Sequence, residues 1–382
     1  MNNSIKNTYI PKLRFKEFSN EKIFLKKLDE IFILKNGYTP SKKNKLFWTN
    51  GNIPWFRIDD IRINGQILSD SLIKTTTFAI KKNGLFKKNS IILTTSATIG
   101  VHALITKDFL CNQRFTVFEI KKNFKINCLF SFYFFYKISN WCKNNISLSS
   151  FPSVQINYLK KYLFWIPLIN EQNKIAKFFS LLDQQISSLE TKLQLMEQKF
   201  KFFLNKLIKN KENKKIKLKN VCSITKGDQI NISQLKSQGK YYYQNGGVEP
   251  SGWIDSFNRK ENTISINEGG SCGLVKWHSQ PFWSGGHLYT LDSINENINK
   301  KYLYYVLKFN EHKIKKLQIG TSLPNIQKKD LEKFLFSSIL NLEKQNKISQ
   351  FLYNLEKQKK LIISKILQIK NKKNYYIKNL FM

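Results

Sequence analysis

The sequence repeats itself, and this duplication constrains the fold more than any other feature. The segment FPSVQINYLKKYLFW at residues 151–165 aligns with LPNIQKKDLEKFLFS at residues 323–337. Shortly after each of them, QNKIAKFFSLL at 172–182 aligns with QNKISQFLYNL at 345–355. Four identical residues in succession, QNKI, indicate a duplicated chain. Each half therefore consists of an opening segment, a long body, a proline-containing element and a helix.

The bodies between these landmarks do not align with each other, although their openings match weakly: LDEIFILKNG at 28–37 lies over LKNVCSITKG at 218–227. Both bodies contain short β-prone runs separated by Gly, Asn and Pro, such as SIILTTSATIGVHALI in the first and HLYTLD in the second. Helical patterns also occur, as in CLFSFYFFYKISNWC and KKYLYYVLKF. We therefore predict an α+β fold in each body.

The helices that follow the bodies carry apolar residues at alternating spacings of four and three, the pattern of a coiled-coil seam. Neither helix contains Pro or Gly within 172–208 or 345–382. The apolar residues form two rows along each helix, and Lys359 and Lys373 interrupt one of the two rows of the second helix. Matched lengths and registers favour one long pair, parallel or antiparallel, over two ordinary amphipathic helices on separate domains. The predicted seam residues are Ile175, Phe179, Leu182, Ile186, Leu189, Leu193, Met196, Phe200, Ile348, Leu352, Leu355, Ile362, Ile366 and Ile369.

The composition points to a polyanionic partner. Lys and Arg total 64 against 26 Asp and Glu, a net charge of +38, and nucleic acid is the usual partner of such a chain. Part of this excess reflects the Lys, Asn, Ile and Phe bias of an AT-rich genome, but the scarcity of acidic residues remains. We expect no signal peptide and no membrane partner, because the most apolar run, at 128–138, is too short to span a bilayer. The five cysteines show no C-x-x-C spacing, so we expect a cytoplasmic protein with reduced thiols.

The sequence lacks the motifs of the common catalytic sites. It contains neither G-x-x-x-x-G-K-[ST] nor G-x-G-x-x-G, no H-E-x-x-H, and no Asn-Pro-Pro-aromatic motif of an adenine methyltransferase. His278, His287 and Cys272 lack a fourth ligand at the spacing of a zinc site. Glycine-rich pieces such as NEGGSCG and SGGH are more typical of tight turns than of phosphate binding. We therefore expect a protein without catalytic activity, cofactor or metal.

Both bodies contain hydrogen-bonding and aromatic residues beside positive charge. Arg can bind guanine bidentately, Asn and Gln can bind adenine, and Lys mostly contacts phosphate. For any one of these residues the alternative is an aromatic side chain in the core or an arginine paired with a nearby aspartate. The candidate DNA contacts are Lys42, Lys43, Lys45, Trp55, Arg57, Arg62, Arg114, Lys240, Tyr242, Gln244, Asn245, Arg259 and Lys276.

Taken together, the motifs resemble the specificity subunit of type I DNA restriction–modification systems. The resemblance covers nearly the whole chain, and each motif is weak alone while the combination is specific. The second half departs from it, with SSILNLEKQNKI where the first half has the proline-containing IPLINEQNKI. The supporting motifs are PKLRFKEF, KNGYTP, LFWTNGNIPWFRIDDI, SIILTTSATIG, CNQRFTVF and IPLINEQNKIAKFF.

The resemblance implies two α/β target-recognition domains, separated by two long helices in an antiparallel coiled coil, with an internal pseudo-twofold repeat. Each domain would read one half of a bipartite, asymmetric site in double-stranded DNA, and the helices would fix the spacer. It also implies partners: methyltransferase subunits, expected to number two, while a restriction (nuclease/translocase) subunit is left open. The expected division is 1–165 and 211–338 for the recognition domains, and 166–210 and 339–382 for the helices.

Two alternatives remain at this stage. The chain could be a structural coiled-coil protein that dimerises and carries β-rich heads. It could also be the detached recognition region of a fused restriction–methylation enzyme, although such an enzyme would carry methyltransferase motifs that this sequence lacks.

Overall fold

The computed structural model describes residues 11–82, 84–147, 152–208 and 214–381. The chain divides into two compact units. The first is formed by Met1–Ser188 with Lys365–Met382, and the second by Leu189–Ser364. The expected boundary between the first helix and the second recognition domain, at 210 and 211, lies outside the described residues, and the four-segment division of the chain stays a prediction.

The first unit contains ten strands and four complete helices among its described residues, and it shares two long helices with the second unit. These elements are β1 Ile23–Lys27, α1 Leu28–Ile31, β2 Phe32–Asn36, β3 Ile53–Phe56, α2 Ile58–Asn64, β4 Ile67–Leu68, β5 Lys74–Thr75, β6 Ser90–Thr94, β7 His102–Ile105, β8 Leu110–Cys111, β9 Phe115–Ile120, α3 Cys128–Asn144, α4 Ile156–Lys160, β10 Leu163–Pro167 and the long α5 Ile169–Ile208.

The described part of the second unit is built from a similar succession, and its last helix returns to the first unit from residue 365. Its elements are β11 Lys214–Lys217, β12 Ser223–Lys226, β13 Tyr241–Gln244, β14 Gly252–Ile254, β15 Thr263–Asn267, β16 Val275–His278, β17 Trp283–Ser284, β18 Leu288–Asp292, α6 Lys300–Phe309, α7 Glu311–Lys315, α8 Lys328–Lys333, β19 Leu335–Ser338 and α9 Leu342–Leu380. The α+β character predicted for both bodies is confirmed.

The two units share one strand order although their bodies do not align in sequence. The main sheet of the first unit has the order β2-β9-β6-β7-β4, and that of the second has β12-β18-β15-β16. A smaller sheet has the order β5-β3-β8 in the first unit and β14-β13-β17 in the second, and each contains one parallel pairing. An antiparallel ribbon, β1-β10 or β11-β19, completes each set. Strand β4 and helix α2 have no counterpart in the described part of the second unit.

The inner strands of the main sheets are buried on both of their faces. All five residues of β6, SIILT, are buried, and so are all five of β15, TISIN. Helix α3 packs on the first main sheet, and Phe135 contacts the rings of Phe32 and Phe118 in that sheet. Such continuous burial selects β-branched and aromatic residues but not a particular sequence. The bodies can therefore diverge while the strand order stays the same.

Within each unit, segments of the two long helices run antiparallel. In the first unit, the ring of Phe179 on α5 stacks at 5.5 Å on that of Phe381, which directly follows α9, and Asp183 of α5 pairs with Lys373 of α9. In the second unit, Glu197 of α5 lies 3.4 Å from the ammonium of Lys359, and the rings of Phe203 and Phe351 are 4.9 Å apart. Later residues of α5 therefore meet earlier residues of α9.

All fourteen predicted seam residues are buried or half-buried. Those that are buried are Ile175, Phe179, Leu182, Ile186, Leu352, Leu355, Ile362 and Ile366. Those that are half-buried are Leu189, Leu193, Met196, Phe200, Ile348 and Ile369. Both lysines that interrupt the apolar row have an acidic partner on α5, which accounts for a charge at these positions. No helix within the described ranges is long and apolar enough to cross a membrane.

Candidate nucleic-acid interface

In each unit, two neighbouring parallel strands end side by side, and polar residues lie at or shortly after their ends. In the first unit Phe56 at the end of β3 is opposite Cys111 at the end of β8, so Arg57 and Asn112 emerge side by side. The second unit repeats this arrangement with Gln244 of β13 opposite Ser284 of β17. Residues at the carboxyl ends of adjacent parallel strands are placed at one edge of a sheet, a common position for ligand contacts. We call these groups the first and second strand-end clusters.

The first strand-end cluster consists of Thr39, Arg57 and residues 112–114. The hydroxyl of Thr39 donates to the side-chain carbonyl of Gln113, and the amide of Asn112 donates to Thr39 Oγ1 at 3.3 Å. Asn112 Oδ1 also accepts the backbone N–H of Arg114 at 2.9 Å. These bonds hold the segment that leads into Arg114, whose side chain is exposed.

The second strand-end cluster consists of Gln229, Asn245 and residues 285–287. Gln229 Oε1 accepts the backbone N–H of Gly286 at 3.3 Å and the amide of Asn245 at 3.4 Å. Asn245 Oδ1 in turn accepts the backbone N–H of His287 at 2.9 Å. His287 is exposed and holds the place in this unit that Arg114 holds in the other.

A glycine brings each opening segment against its cluster. A Cβ on Gly37 would lie 2.3 Å from the carbonyl oxygen of Asn112, and one on Gly227 would lie 2.3 Å from that of Gly285. No side chain can be accommodated at that distance. The two glycines end the aligned openings LDEIFILKNG and LKNVCSITKG, so this sequence match marks the point where Thr39 and Gln229 are brought into place.

The lysine-rich loop of the first unit is held by tryptophans. The indole nitrogen of Trp48 donates to the carbonyl of Ser41 at 3.0 Å, and its ring meets that of Trp55 at 5.1 Å. Trp55 is buried and donates its own N–H to the carbonyl of Tyr38 at 3.0 Å. Trp55 therefore supports the loop from inside and offers no free surface. The lysines carried by this loop, all exposed, are Lys42, Lys43 and Lys45.

The candidate arginines differ in how many ion pairs and hydrogen bonds their guanidinium groups make within the protein. Arg57 and Arg62 both approach Asp59, at 3.6 Å and 3.9 Å, while the side chain of Arg62 remains 65% exposed. Arg259 is half-buried and donates to Thr290 Oγ1 at 2.8 Å and to the carbonyls of Asn258 and Lys226. Among the candidate arginines, Arg114 and Arg62 have the most exposed side chains.

Several candidates in the second unit are also bound inside the fold. Gln244 is buried; its amide donates to the carbonyl of Gly247 at 2.8 Å, and Lys276 donates to its side-chain carbonyl at 2.8 Å. Burial lowers the pKa of Lys276. Tyr242 shares a 2.8 Å hydrogen bond with His278 Nδ1, and burial raises its pKa to about 12. Lys240 is exposed.

An acidic residue lies next to the second strand-end cluster. Glu268 accepts hydrogen bonds from Lys226 at 2.8 Å and from the hydroxyl of Tyr289 at 2.9 Å. The His287 Nδ1 atom lies 3.8 Å from its other carboxylate oxygen. Sequence reasoning considered His287 only as a metal ligand, and it missed Glu268 as well as Thr39, Asn112 and Gln229. The glycine match was the signal that could have located the last three.

No candidate metal centre is found in the ranges that the structure describes: no group of three or more His, Cys, Asp or Glu side chains is arranged to hold an ion. His278, one of the three possible ligands in the sequence, is buried between Tyr242 and Ser265, with Ser265 Oγ 2.7 Å from its Nε2. Cys272 donates to the carbonyl of Glu268.

Comparison with known proteins gives a consistent result. The family model described as "Type I restriction modification DNA specificity domain" matches twice, at residues 20–198 and 210–371. The EcoprrI specificity subunit of a type I restriction enzyme from Escherichia coli is 33% identical over 78% of this chain and 80% of its own length. The MjaIX specificity subunit from Methanocaldococcus jannaschii is 26% identical over 81% of both chains. The crystal structure of a type I restriction–modification S subunit from M. genitalium matches the fold with a TM-score of 0.70, at 19% identity, over 98% of this chain and 99% of that one.

Proposed function

Because the chain belongs to the family of type I restriction–modification DNA specificity subunits, we propose that each of its two units reads one half of a bipartite, asymmetric DNA target. In this proposal the long helices form one antiparallel coiled coil that relates the units by a pseudo-twofold repeat and sets the spacer between the half-sites. The subunit itself is non-catalytic and directs methyltransferase subunits, two in number, to that target.

The observation that carries the proposal is that the units share their strand order but differ at the strand-end clusters. Arg114 in the first cluster is replaced by His287 in the second, and Arg57 by Asn245, while in both clusters an asparagine side chain accepts the backbone N–H of the exposed residue. Arg, Asn and Gln are the side chains that best discriminate base pairs in the major groove. Two readers with one scaffold and different exposed residues are expected to read different half-sites.

The helices have the length and attachment that a spacer requires. Helix α5 has 40 residues and α9 has 39, so each extends about 60 Å at 1.5 Å per residue. Each is attached to a body in the same way: Gln172 and Gln345 hold the backbone N–H groups of Asn127 and Asn299. A fixed attachment of this kind would keep the distance between half-sites constant when a body changes.

The remaining basic residues fit a different role. Lys42, Lys43, Lys45 and Lys240 are exposed, and we assign them to the phosphate backbone, which supplies affinity without sequence information. Trp55, Gln244 and Lys276 act by shaping the surface, since hydrogen bonds and burial inside the fold occupy their side chains.

The proposal can be tested by exchanging one body. The chain, co-expressed with the methyltransferase subunits of its system, would receive residues 28–165 from a related subunit, and methylated sites would be mapped across the host genome. We expect one half of the methylated sequence to change while the other half and the spacer stay the same. A change in both halves, or in the spacer alone, would contradict the two-reader arrangement.

A second measurement addresses catalysis and the remaining alternatives. The purified chain, incubated with DNA and labelled S-adenosylmethionine, should transfer no methyl group until methyltransferase subunits are added. Methyl transfer by the chain alone would contradict a non-catalytic role. If the DNA sequence methylated by the assembled complex did not depend on the amino-acid sequence of this chain, the result would instead support the alternative of a structural coiled-coil protein.

A further inference from the structure

An exposed apolar side chain lies at the tip of a short loop in the second unit. Leu323 is 87% exposed, more than any other large apolar residue in the part of the chain that the structure describes. Paired backbone hydrogen bonds between Ile319 and Asn325, at 2.8 and 2.9 Å, close the loop. Inside it, Gly320 has a φ of 93°, and Pro324 directly follows the leucine. The bridge and the proline restrict the backbone, so the side chain is presented to solvent at a defined place.

The loop is a repeated feature of the chain. In the first unit Ser147 and Ser153 form the same kind of bridge, and Ser153 corresponds to Asn325 in the repeated segment. The apolar residue before the proline is also present in both halves, as Phe151 in the first and Leu323 in the second. The duplication has therefore retained apolar character at this position while the residue itself differs. Phe151 lies outside the described residues, so the proposed contact concerns Leu323 alone.

The loop is attached beside the second strand-end cluster. The N–H of Ile326 donates to the carbonyl of Glu268 at 2.9 Å, and the N–H of Glu268 donates to the carbonyl of His287 at 3.0 Å. A Cβ on Gly269 would lie 3.7 Å from the Nδ1 atom of His287 and 3.9 Å from the carbonyl oxygen of Pro324. The proline of the loop and the exposed histidine of the cluster are therefore close neighbours.

The charges around the loop fit DNA. No Asp or Glu occurs between His312 and Asp330. The carboxylate of Glu268, beside the loop, pairs with the ammonium of Lys226 at 2.8 Å. A loop that presents an apolar tip between positive charges matches a partner with phosphates around an apolar group. The lysines on either side of the loop, all exposed, are Lys313, Lys315, Lys316, Lys328 and Lys329.

We propose that Leu323 contacts the 5-methyl group of a thymine in the half-site read by the second unit. This methyl group is the apolar group that a base pair presents in the major groove, where the side chains of the strand-end cluster discriminate bases. A leucine held beside His287 can cover the methyl group while the neighbouring lysines contact phosphates. The contact presupposes that the second unit reads one half-site, as proposed above, and it assigns thymine to one position of that half-site.

The test replaces thymines of this half-site one at a time with deoxyuridine, which lacks the methyl group and keeps every hydrogen-bonding group. The half-site is the one that stays the same when residues 28–165 are exchanged. Fluorescence anisotropy would measure the affinity of each duplex for the chain in complex with its methyltransferase subunits. We expect one thymine at which deoxyuridine weakens binding about fourfold, the effect of removing one buried methyl group.

Two variants connect this response to the leucine. Leu323→Ser removes the apolar side chain at an exposed position, so the fold should be retained. We expect it to weaken binding of the thymine duplex about fourfold or more and to bind the thymine and deoxyuridine duplexes equally. Leu335→Ser, at another exposed apolar position of the second unit, is the matched control and should keep the full response to deoxyuridine.

The outcomes distinguish a failure of this contact from a failure of the proposed function. If the half-site contained no thymine that responds to deoxyuridine, or if Leu323→Ser kept the response, the proposed contact would be overturned while sequence-dependent binding remained. A loss of affinity in Leu323→Ser without any deoxyuridine response in the unsubstituted chain would also overturn it, because Leu323 would then contact the sugar–phosphate backbone or a methyltransferase subunit. If affinity did not depend on the sequence of this half-site at all, the proposed function itself would be wrong.

Discussion

The side-chain carbonyl of Gln172 accepts the backbone N–H of Asn127 at 2.9 Å, and this contact attaches the long helix α5 to the first body. Asn127 also caps helix α3, because its side-chain oxygen accepts the N–H of Phe130. The bond between Asn127 and Gln172 therefore links the start of α3 to the start of α5. Gln345 and Asn299 repeat the arrangement at 2.8 Å in the second unit. The identical QNKI segments therefore mark one structural joint that is used twice.

We predict that Gln172→Leu lowers the free energy of unfolding by about 2 kcal/mol, because it leaves buried polar groups unpaired. Gln172 is 2% exposed and its amide also donates to the carbonyl of Pro167 at 2.8 Å, so two backbone groups lose their partner. Urea denaturation measures the change. Gln184→Leu, at an exposed position of the same helix, is the control and should shift stability by less than about 0.5 kcal/mol. Equal effects of both substitutions would contradict the role of the joint.

The same joint explains why the duplication is visible in the amino-acid sequence of the helix starts but not in that of the bodies. A residue that must satisfy a particular backbone N–H has few substitutes, so Gln172 and Asn173 recur as Gln345 and Asn346. A buried strand residue needs only suitable volume and shape. The sequence thus predicted the helices and showed the repeated segment, but neither the contacts of Gln172 and Gln345 nor the common strand order of the bodies could be read from it.

A partly buried ion pair between α5 and α9 gives a second prediction. Lys373 is 9% exposed, and its ammonium donates to Asp183 at 2.5 Å, while Tyr133 donates to the other carboxylate oxygen at 2.9 Å. We expect Asp183→Ala to lower the free energy of unfolding by about 3 kcal/mol, because it leaves a buried charge without its partner.

Lys373→Met provides the comparison for this pair. It removes the charge and keeps an apolar chain against the rings of Tyr133 and Tyr136, so we expect a cost of about 1 kcal/mol or less. The double substitution should recover most of the stability lost in Asp183→Ala. Purely additive effects in this cycle, measured by urea denaturation, would show that the two residues are not coupled.

His278 should make the second unit sensitive to acid. Burial, with a smaller contribution from the ammonium of Lys276, lowers the pKa of His278 from 6.5 to about 3. The unfolded chain then binds a proton below pH 6.5 that the folded chain does not bind until about pH 3. Stability is therefore fully retained above pH 6.5 and falls as the pH decreases toward 3.

Between pH 7 and pH 5 this single group should cost about 2 kcal/mol of unfolding free energy. His278→Gln, which can still pair with Tyr242 and Ser265, should flatten that part of the stability profile. His312 is exposed, and His312→Gln should leave the slope unchanged. An identical slope in His278→Gln and the unsubstituted chain would exclude this residue as the source.

The candidate interface shows where sequence reasoning reaches its limit. Composition and residue type selected Arg114 and Trp55 with equal weight, yet the first is exposed and the second is buried under a loop. An aromatic residue beside lysines has the same sequence pattern in either role, and only packing distinguishes them. Arg259 is similar, because the groups that accept its three hydrogen bonds belong to residues distant in sequence or to the backbone.

The final prediction separates base contacts from phosphate contacts. Arg114 is exposed, and its backbone N–H donates to Asn112, which is itself bonded to Thr39, as expected of a residue that must be positioned accurately. In the complex with methyltransferase subunits, Arg114→Ala should weaken binding to the cognate site by about 1–3 kcal/mol and relax one position of one half-site. His287→Ala should affect only the other half-site.

Lys42→Ala should instead weaken the binding of cognate and unrelated DNA alike and reduce the salt dependence of binding, because fewer counterions are released when a phosphate contact is lost. Fluorescence anisotropy at several salt concentrations, combined with mapping of methylated sites, measures both effects. If Arg114→Ala lowered affinity equally for all sequences, Arg114 would be a phosphate contact and the base-reading role assigned to the first strand-end cluster would be wrong.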